Sequence, residues 1–187
     1  MKSRLVFVHA LSPLHAGTGQ GVGVIDLPVA REKATGLPYL PGSSLKGVLR
    51  DACEDEETRA AVFGPDPSSD VAHAGSAALS DLRLLLLPVR SVMGTFAWVT
   101  SPYILRRFLR DADSAEIGNP PSGVPDAVGQ NCFVSCDDSA VAHDNKVLLE
   151  DLDLVSETSG DARRWAEWIG GQVFADDAVW QKILVRR

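Results

Sequence analysis

A glycine- and proline-rich stretch near the amino terminus constrains the fold most strongly. Glycines occupy alternate positions from Gly17 to Gly23, and three prolines follow by position 41. Glycine loses much backbone entropy in a helix and proline lacks the amide N–H, so this stretch predicts an ordered loop or loose hairpin and excludes a helix. The apolar, β-branched residues 4–12 that precede it predict a first strand, which ends at Pro13.

The following segments predict further elements in the order α-β-β-α. Ser43 and Ser44 offer N-caps to a helix with one apolar face. The continuous apolar run at 79–89 predicts a central strand buried on both faces. Residues 95–100 predict a third strand, and residues 103–109 a second helix with a proline in its first turn. With the first strand, this order is the beginning of a ferredoxin-like unit.

The final third of the chain predicts two strands, a helix and a short edge strand, at residues 133–135, 147–155, 162–174 and 182–185. A ferredoxin-like sheet needs a closing strand, and the last of these segments is short and terminal, which suits only an edge. We therefore expect an exposed apolar face around Trp165, Trp168 and Trp180.

Charge is unevenly distributed along a chain whose net charge is −7. The negative net charge disfavours a generic nucleic-acid binder, because phosphate neutralisation needs Lys and Arg. Residues 30–50, however, carry four basic residues against one acid, residues 82–110 five arginines and no acid, and residues 126–177 twelve acids against three basic residues. This polarity favours one surface for an anionic partner and one acidic, subunit-facing surface; uneven charge without a partner is the alternative.

Cysteine usage and the short apolar runs indicate a cytoplasmic protein without a membrane span. Three scattered cysteines form no disulfide framework. Cys132, Cys136 and His143 superficially resemble zinc ligands, but no second matching pair accompanies them, so we expect no metal site there. The apolar run near the amino terminus is too short and polar for a secretory signal, and no later run could span a bilayer.

Neither glycine-containing motif matches a nucleotide-binding fingerprint. The alternate glycines lack the G-x-G-x-x-G spacing and no helix follows them. The PGSSLKG segment is not a phosphate-binding P-loop, since Lys46 stands directly before Gly47. Approachable backbone and N–H groups beside a helix start that carries Lys46 favour a phosphodiester chain instead.

Two long segments carry a specific resemblance. LSPLHAGTGQGVGVIDLPVAREKATGLPYLPGSSLKGVLRD covers residues 11–51, and ALSDLRLLLLPVRSVMGTFAWVTSPYILRRF covers residues 78–108. Both resemble the signatures of the backbone-subunit family of type III-B CRISPR effectors (Cmr complexes), within the RAMP superfamily. The likeness is looser over residues 109–187, and the family normally continues past a segment like 180–184, so the chain resembles a member without its carboxyl-terminal part.

The resemblance implies an α+β fold with a ferredoxin-like (RRM-related) RAMP core and inserted loops. It implies one domain over residues 1–187, with a catalytic Gly/Pro loop around 13–42 and a less certain region around 111–187. Such subunits stack as a filament on a CRISPR guide RNA, together with other Cmr-complex subunits. There they act as endoribonucleases on complementary single-stranded target RNA.

The resemblance assigns cleavage to Asp26, with His15 as a second candidate for contact or acid–base work. A carboxylate there can help to deprotonate a 2′-OH or hold a divalent ion (Mg²⁺ or Mn²⁺), although no protein metal site is readable. An aspartate with a pKa of about 4 is a weak base, so positioning would supply most of the rate. The residues expected to bind RNA are Arg31, Ser44, Lys46, Arg50, Arg90 and Ser91.

Each assignment has a structural alternative. An aspartate in a Gly/Pro loop is commonly a turn former, a histidine near a strand end is commonly structural, and basic residues commonly form a solvated helix face. The rival function is a non-catalytic RNA-binding scaffold subunit of the same kind of complex, in which Asp26 is silent. A small-molecule enzyme that uses the glycine loop is a third alternative.

Overall fold

The structure, a computed structural model, describes residues 2–17, 28–66, 73–115, 118–127, 129 and 131–187. The chain divides into two compact units. We call Ser12–Leu84 the small unit, and Met1–Leu11 together with Leu85–Arg187 the large unit. Helices and sheets occur in both, which confirms the α+β class, whereas the ferredoxin-like strand order stays a prediction.

The described residues of the small unit form two short strands and two helices: β1 (Tyr39–Leu40), α1 (Gly42–Asp51), α2 (Glu56–Phe63) and β2 (Leu82–Arg83). Strands β1 and β2 pair antiparallel. Helix α2 begins after Asp55, whose carboxylate accepts the Thr58 amide N–H at 2.8 Å. Hydrogen bonds from Thr58 hold the pKa of the Asp55 carboxyl below its ordinary value.

The large unit contains a hairpin, a four-stranded sheet and three helices. Its elements are β3 (Leu87–Arg90), β4 (Phe96–Val99), α3 (Pro102–Ser114), β5 (Asn131–Val134), β6 (Ala142–His143), β7 (Lys146–Leu149), β8 (Leu152–Thr158), α4 (Gly160–Val173) and α5 (Ala178–Arg186). Strands β3 and β4 pair antiparallel, and the sheet order is β5-β8-β7-β6, with only β5–β8 parallel. No helix in the described residues is long and apolar enough to cross a membrane.

The predicted helices at 103–109 and 162–174 are confirmed as α3 and α4. Each begins at a serine that caps it: Ser101 Oγ accepts the Ile104 amide, and Ser159 Oγ accepts the Ala162 amide. These local signals place the helix starts from the sequence.

The prediction of one central strand at 79–89 is wrong. The apolar run divides between the two units: β2 pairs with β1 in the small unit, and β3 pairs with β4 in the large unit. Leu87 is 43% exposed and therefore does not lie inside a sheet buried on both faces. A continuous apolar run cannot distinguish one buried strand from two half-buried strands in different sheets.

Three other strand predictions need correction. Residues 147–155 form the β7–β8 hairpin, because Glu150 adopts the left-handed conformation (φ 49°) and turns the chain. Residues 182–185 lie in α5, whose N-cap carboxylate, from Asp177, accepts two amide N–H groups. Residues 4–10 alternate in burial as a strand would, but the structure assigns no strand within residues 4–12.

Two clusters of buried side chains form the core of the large unit. The first joins the three helices through Leu105, Phe108, Ala112, Trp165, Ile169 and Leu184. The second joins β4 to the sheet through Ala97, Val141, Val147 and Leu149. Both clusters follow from the apolar faces of amphipathic helices and half-buried strands.

The expected exposed tryptophan face is present only at Trp180. Trp165 is 2% exposed and its indole N–H donates to the Gly123 carbonyl oxygen at 2.7 Å. Trp168 is half-buried against the same cluster, in edge contact with Phe108. Trp180 is 39% exposed and stacks on Phe174. The expectation was therefore wrong for Trp165 and for much of Trp168.

We predict that Ile169→Ala lowers the free energy of unfolding by about 2–5 kcal/mol, because truncation leaves a cavity in the first cluster. Leu152→Ala is the control: Leu152 is 60% exposed, and its loss should cost less than about 0.5 kcal/mol. Urea unfolding followed by far-ultraviolet circular dichroism measures both. Equal losses in the two variants would contradict the assignment of the core.

Candidate nucleic-acid interface

The segment that contains Asp26 is tied at both ends by main-chain pairing. Gly17 and Val29 form an antiparallel bridge, and the Ala30 amide N–H donates to the Ala16 carbonyl oxygen at 2.7 Å. Asp26 itself, with the rest of residues 18–27, lies outside the described residues. The two ends of this segment therefore lie side by side in the small unit, and we call these paired ends the stem.

The stem is joined to the rest of the small unit through Ala30. This residue is 1% exposed, and its carbonyl oxygen accepts the Tyr39 amide N–H at 3.1 Å. A second bridge joins Arg31 to Pro38, and Tyr39 in turn pairs with Arg83 across β1 and β2. Successive backbone pairings thus connect the stem of the Asp26 segment to β2.

His15 and Arg31 are both exposed and lie on opposite strands of this stem. The Arg31 guanidinium donates to the Gly36 carbonyl oxygen at 2.9 Å, across the turn that follows it. Both side chains therefore lie at the base of the segment that carries Asp26, and their roles stay predictions.

Helix α1 carries the other expected RNA-binding residues of the small unit. Ser44 is exposed, whereas Lys46 and Arg50 are half-buried. The Lys46 ammonium donates to the Ala77 carbonyl oxygen at 3.3 Å, and Arg50 donates to the Pro65 carbonyl oxygen at 3.0 Å. These bonds use one of three donors on Lys46 and one of five on Arg50, whose guanidinium also lies 3.8 Å from the Asp66 carboxylate. Lys46 and Arg50 therefore each bond to a neighbouring part of the chain and still have N–H groups that can donate to a further partner.

The amino terminus of α1 differs from the sequence interpretation. Neither Ser43 nor Ser44 caps it; the residue before the helix is Pro41, and the Gly42 amide N–H donates to the Asp81 carboxylate at 2.9 Å. A carboxylate at this end is favourable because the helix dipole is positive there. Sequence analysis missed Asp81 because the contact joins residues 39 positions apart.

Two glycines allow the chain before β2 to approach the helices closely. A Cβ atom on Gly42 would lie 2.4 Å from the Leu79 carbonyl oxygen. A Cβ atom on Gly75 would lie 2.4 Å from the Val62 carbonyl oxygen. The Ala77 amide N–H also donates to the Val62 carbonyl oxygen at 3.0 Å. This close approach brings the Ala77 carbonyl oxygen within hydrogen-bonding distance of the Lys46 ammonium group.

Arg90 and Ser91, the two expected RNA-binding residues in the large unit, differ in accessibility. Arg90 is exposed at the end of β3. Ser91 is 5% exposed, and its hydroxyl donates to the Leu148 carbonyl oxygen at 3.2 Å. Its amide N–H donates to Thr95 within the β3–β4 turn. Ser91 therefore makes a structural contact, and its role in RNA binding stays a prediction.

Much of the basic stretch 82–110 has partners within the large unit. Arg106 forms an ion pair with Asp126 at 2.8 Å. Arg107 is 8% exposed, with its guanidinium 5.5 Å from the centre of the Tyr103 ring. The number of arginines in this stretch of the sequence therefore overestimates the cationic surface that is available to a partner.

No three His, Cys, Asp or Glu side chains in the described part of the chain form a group that could hold a metal ion. Burial raises the pKa values of the Cys132 and Cys136 thiols. Neither thiol has the lowered pKa that makes cysteines reactive or metal-binding.

A sequence model described as the RAMP superfamily matches residues 7–172. The chain therefore belongs to the RAMP superfamily. Its relatives include the CRISPR system Cmr endoribonuclease Cmr4 of Pyrococcus furiosus, 39% identical over 157 residues, which are 81% of this chain and 52% of the relative. The CRISPR system Cms endoribonuclease Csm3 of Methanothermobacter thermautotrophicus is 42% identical over 55 residues, 28% of this chain and 22% of the relative.

Solved structures show the same fold. Oligomeric Cmr4 from Pyrococcus furiosus superposes with a TM-score of 0.74 at 32% identity, covering 94% of this chain and 64% of that one. A type III-B Cmr-beta complex bound to cognate target RNA contains a chain that superposes with a TM-score of 0.59 at 20% identity, covering 78% of this chain and 55% of that one. The latter likeness is one of fold alone. The chain spans about half the length of its curated Cmr4 relative.

We predict opposite effects for two Gly→Ala substitutions in α1. Gly42→Ala should destabilise the helix by about 1–3 kcal/mol, because the new Cβ atom clashes with the backbone of Leu79 and Ser80. Gly47→Ala should stabilise it by up to about 1 kcal/mol, because no atom lies within 4 Å of the new methyl group. Amide hydrogen exchange in α1 measures both effects. Destabilisation by Gly47→Ala as large as that by Gly42→Ala would refute the close approach.

Proposed function

We propose that the chain is a guide-RNA-binding backbone subunit of a type III-B CRISPR (Cmr) complex, and that it cuts complementary target RNA through Asp26. Its partners would be the guide RNA, single-stranded target RNA, copies of itself and other Cmr-complex subunits in the cytoplasm. Support comes from membership of the RAMP superfamily and from relatives named as CRISPR endoribonucleases.

The paired stem of the Asp26 segment is the observation that most favours this function. The Gly17–Val29 bridge and the Ala30–Ala16 hydrogen bond fix where the segment leaves and rejoins the buried part of the small unit. The proposal needs an anchored segment, because a weak general base depends on positioning for its rate.

The proposed reaction is transfer of the phosphate within the RNA strand. The Asp26 carboxylate accepts the proton of a target 2′-OH, and that oxygen attacks the adjacent phosphorus. The bond from phosphorus to the 5′-oxygen of the next nucleotide breaks, and the leaving oxygen takes up a proton from His15 or from water. The products are a 2′,3′-cyclic phosphate and a 5′-OH. In the alternative form of this proposal, the Asp26 carboxylate holds a divalent ion (Mg²⁺ or Mn²⁺) at the scissile phosphate.

Phosphate contacts would come from the exposed and half-buried donors of the small unit, Arg31, Ser44, Lys46 and Arg50, with Arg90 from the large unit. Contacts to phosphates position RNA without reading its sequence, which suits a subunit that must accept any guide. In this proposal Lys46 and Arg50 each bond to a neighbouring carbonyl oxygen with one donor and contact RNA with donors that remain. The Ser91 hydroxyl donates to the Leu148 carbonyl oxygen in β7.

We predict that Asp26→Asn lowers target cleavage by about 10²–10⁴-fold in the complex reconstituted with guide RNA, because the general base is lost. Binding of target RNA should be nearly unchanged, since the substitution keeps the size of the side chain. Gel mapping of cuts on a labelled complementary RNA measures the rate, and filter binding measures the affinity.

Asp51→Asn serves as the matched control, since Asp51 is an exposed acid at the end of α1 in the same unit. It should cut at the wild-type rate. Near wild-type cleavage by the Asp26 variant would remove the catalytic assignment. Target binding without cleavage by the unsubstituted complex would identify the subunit as a scaffold instead.

For Lys46→Ala we expect weaker binding of guide RNA, by a similar factor for every guide sequence. The slope of log affinity against log salt should decrease by about 0.7, the value for one phosphate contact to a single strand. Lys33→Ala is the control, because Lys33 is an exposed lysine in a turn of the same unit. A loss that depends on guide sequence, or an equal loss in the control, would contradict a backbone contact by Lys46.

A further inference from the structure

Helix α1 packs against neighbouring chain of the small unit along one side. Gly42, Lys46 and Arg50 follow one another at intervals of four residues, so they lie on the same side of the helix. Gly42 is buried and the two basic residues are half-buried, whereas Ser43 and Gly47 are exposed. The packed side of α1 therefore carries both of its expected phosphate contacts.

A hydrogen bond at each of these three positions holds this side in place. The bonds from Lys46 and Arg50 end on main-chain carbonyl oxygens, which no side-chain substitution removes. The Gly42 amide N–H instead donates to the side chain of Asp81, at 2.9 Å. Asp81 is therefore the partner whose effect on α1 a substitution can isolate.

The carbonyl oxygen that accepts from Lys46 is held by α2. The Ala77 amide N–H donates to the Val62 carbonyl oxygen at 3.0 Å, and the Ser76 amide N–H donates to the Ala61 carbonyl oxygen at 2.9 Å. Because these bonds keep Ala77 beside α2, a shift of α1 would change the distance between the Lys46 ammonium and its acceptor. The position of that ammonium thus depends on what fixes α1.

Asp81 fixes the first turn of α1. A carboxylate is the favoured acceptor there, because the helix dipole is positive at this end and a charge-assisted hydrogen bond is stronger than a neutral one. Asp81 directly precedes β2, which pairs with β1, and β1 leads through Pro41 into α1. The bond therefore ties the start of the helix to the β1–β2 pair, one turn before Lys46.

We propose that Asp81 is a positioning residue: by holding the start of α1, it places the Lys46 ammonium where a guide-RNA phosphate binds. This inference rests on the proposed function, in which Lys46 contacts the RNA backbone. An exposed acid whose only effect were its charge would repel phosphate. Removal of Asp81 therefore weakens RNA binding if it positions Lys46, and strengthens binding if it acts by charge alone.

The test measures guide-RNA affinity of the reconstituted complex by filter binding at several salt concentrations. Asp81→Ala should weaken binding by about twofold to tenfold, the usual net effect of one hydrogen bond. The slope of log affinity against log salt should fall toward that of Lys46→Ala. Asp81→Asn keeps an oxygen acceptor for the Gly42 amide and should bind nearly like the unsubstituted chain.

Asp51→Ala is the matched control, because it removes an exposed acid from the other end of α1. It should not weaken binding. The variant that combines Lys46→Ala with Asp81→Ala should bind no more weakly than Lys46→Ala alone, because Asp81 acts through Lys46. A general loss of stability would instead add to the effect of the Lys46 substitution.

Hydrogen exchange of the Gly42 amide decides the question if Asp81→Ala does not fold. Coupling between two sites is reciprocal, so a phosphate bound at Lys46 should stabilise the bond from Gly42 to Asp81. Guide RNA should therefore slow this exchange in the unsubstituted chain and leave it unchanged in Lys46→Ala.

Three results would each overturn the inference while the proposed function stands. Asp81→Ala binds guide RNA as tightly as the unsubstituted chain or more tightly, the losses in the combined variant add, or guide RNA leaves Gly42 exchange in the unsubstituted chain unchanged. Unchanged affinity in Lys46→Ala would instead contradict the phosphate contact in the proposed function, and the inference would fall with it.

Discussion

The hydrogen bond from the Ala30 amide to the Ala16 carbonyl oxygen closes the segment that carries Asp26, and Ala30 is almost fully buried. Water cannot reach the polar groups of a buried peptide, so protein groups must satisfy both its N–H and its C=O. Ala16 satisfies the first and Tyr39 the second. This requirement aligns three backbone segments, and β1, its pairing with β2 and the start of α1 follow from that alignment.

Sequence analysis combined two ways in which α1 could attract phosphate, namely its positive amino terminus and its basic side chains. The structure distinguishes between them. Its amino terminus is positive, but the Asp81 carboxylate already accepts the first amide. The helix end therefore offers little to an anion, and in the proposed function the phosphate contacts are assigned to Lys46 and Arg50 instead. Both are oriented by carbonyl oxygens, so less side-chain entropy is lost when a phosphate binds than would be lost from a freely rotating side chain.

Sequence reasoning succeeded where the determining interactions are local. Ser101 and Ser159 mark two helix starts within a few residues, and the apolar faces behind them define the first core cluster. It failed where distant residues decide the structure. The apolar run 79–89 divides between two units. The Asp81 carboxylate accepts a hydrogen bond from Gly42 at the start of α1, and the Ser91 hydroxyl donates to the Leu148 carbonyl oxygen. The candidate RNA-binding residues came from family resemblance, which indicates position without indicating which donors the fold already uses.

The aromatic residues are divided unequally between the two units. All four tryptophans, at positions 98, 165, 168 and 180, belong to the large unit, and the Trp165 and Trp168 ring centres are only 6.2 Å apart. Intrinsic tryptophan fluorescence therefore reports on the large unit alone, and the close rings will exchange excitation energy. The small unit, which includes the stem of the Asp26 segment, contains no tryptophan. A spectroscopic study of this protein needs a second probe there, such as a fluorophore attached to Cys53.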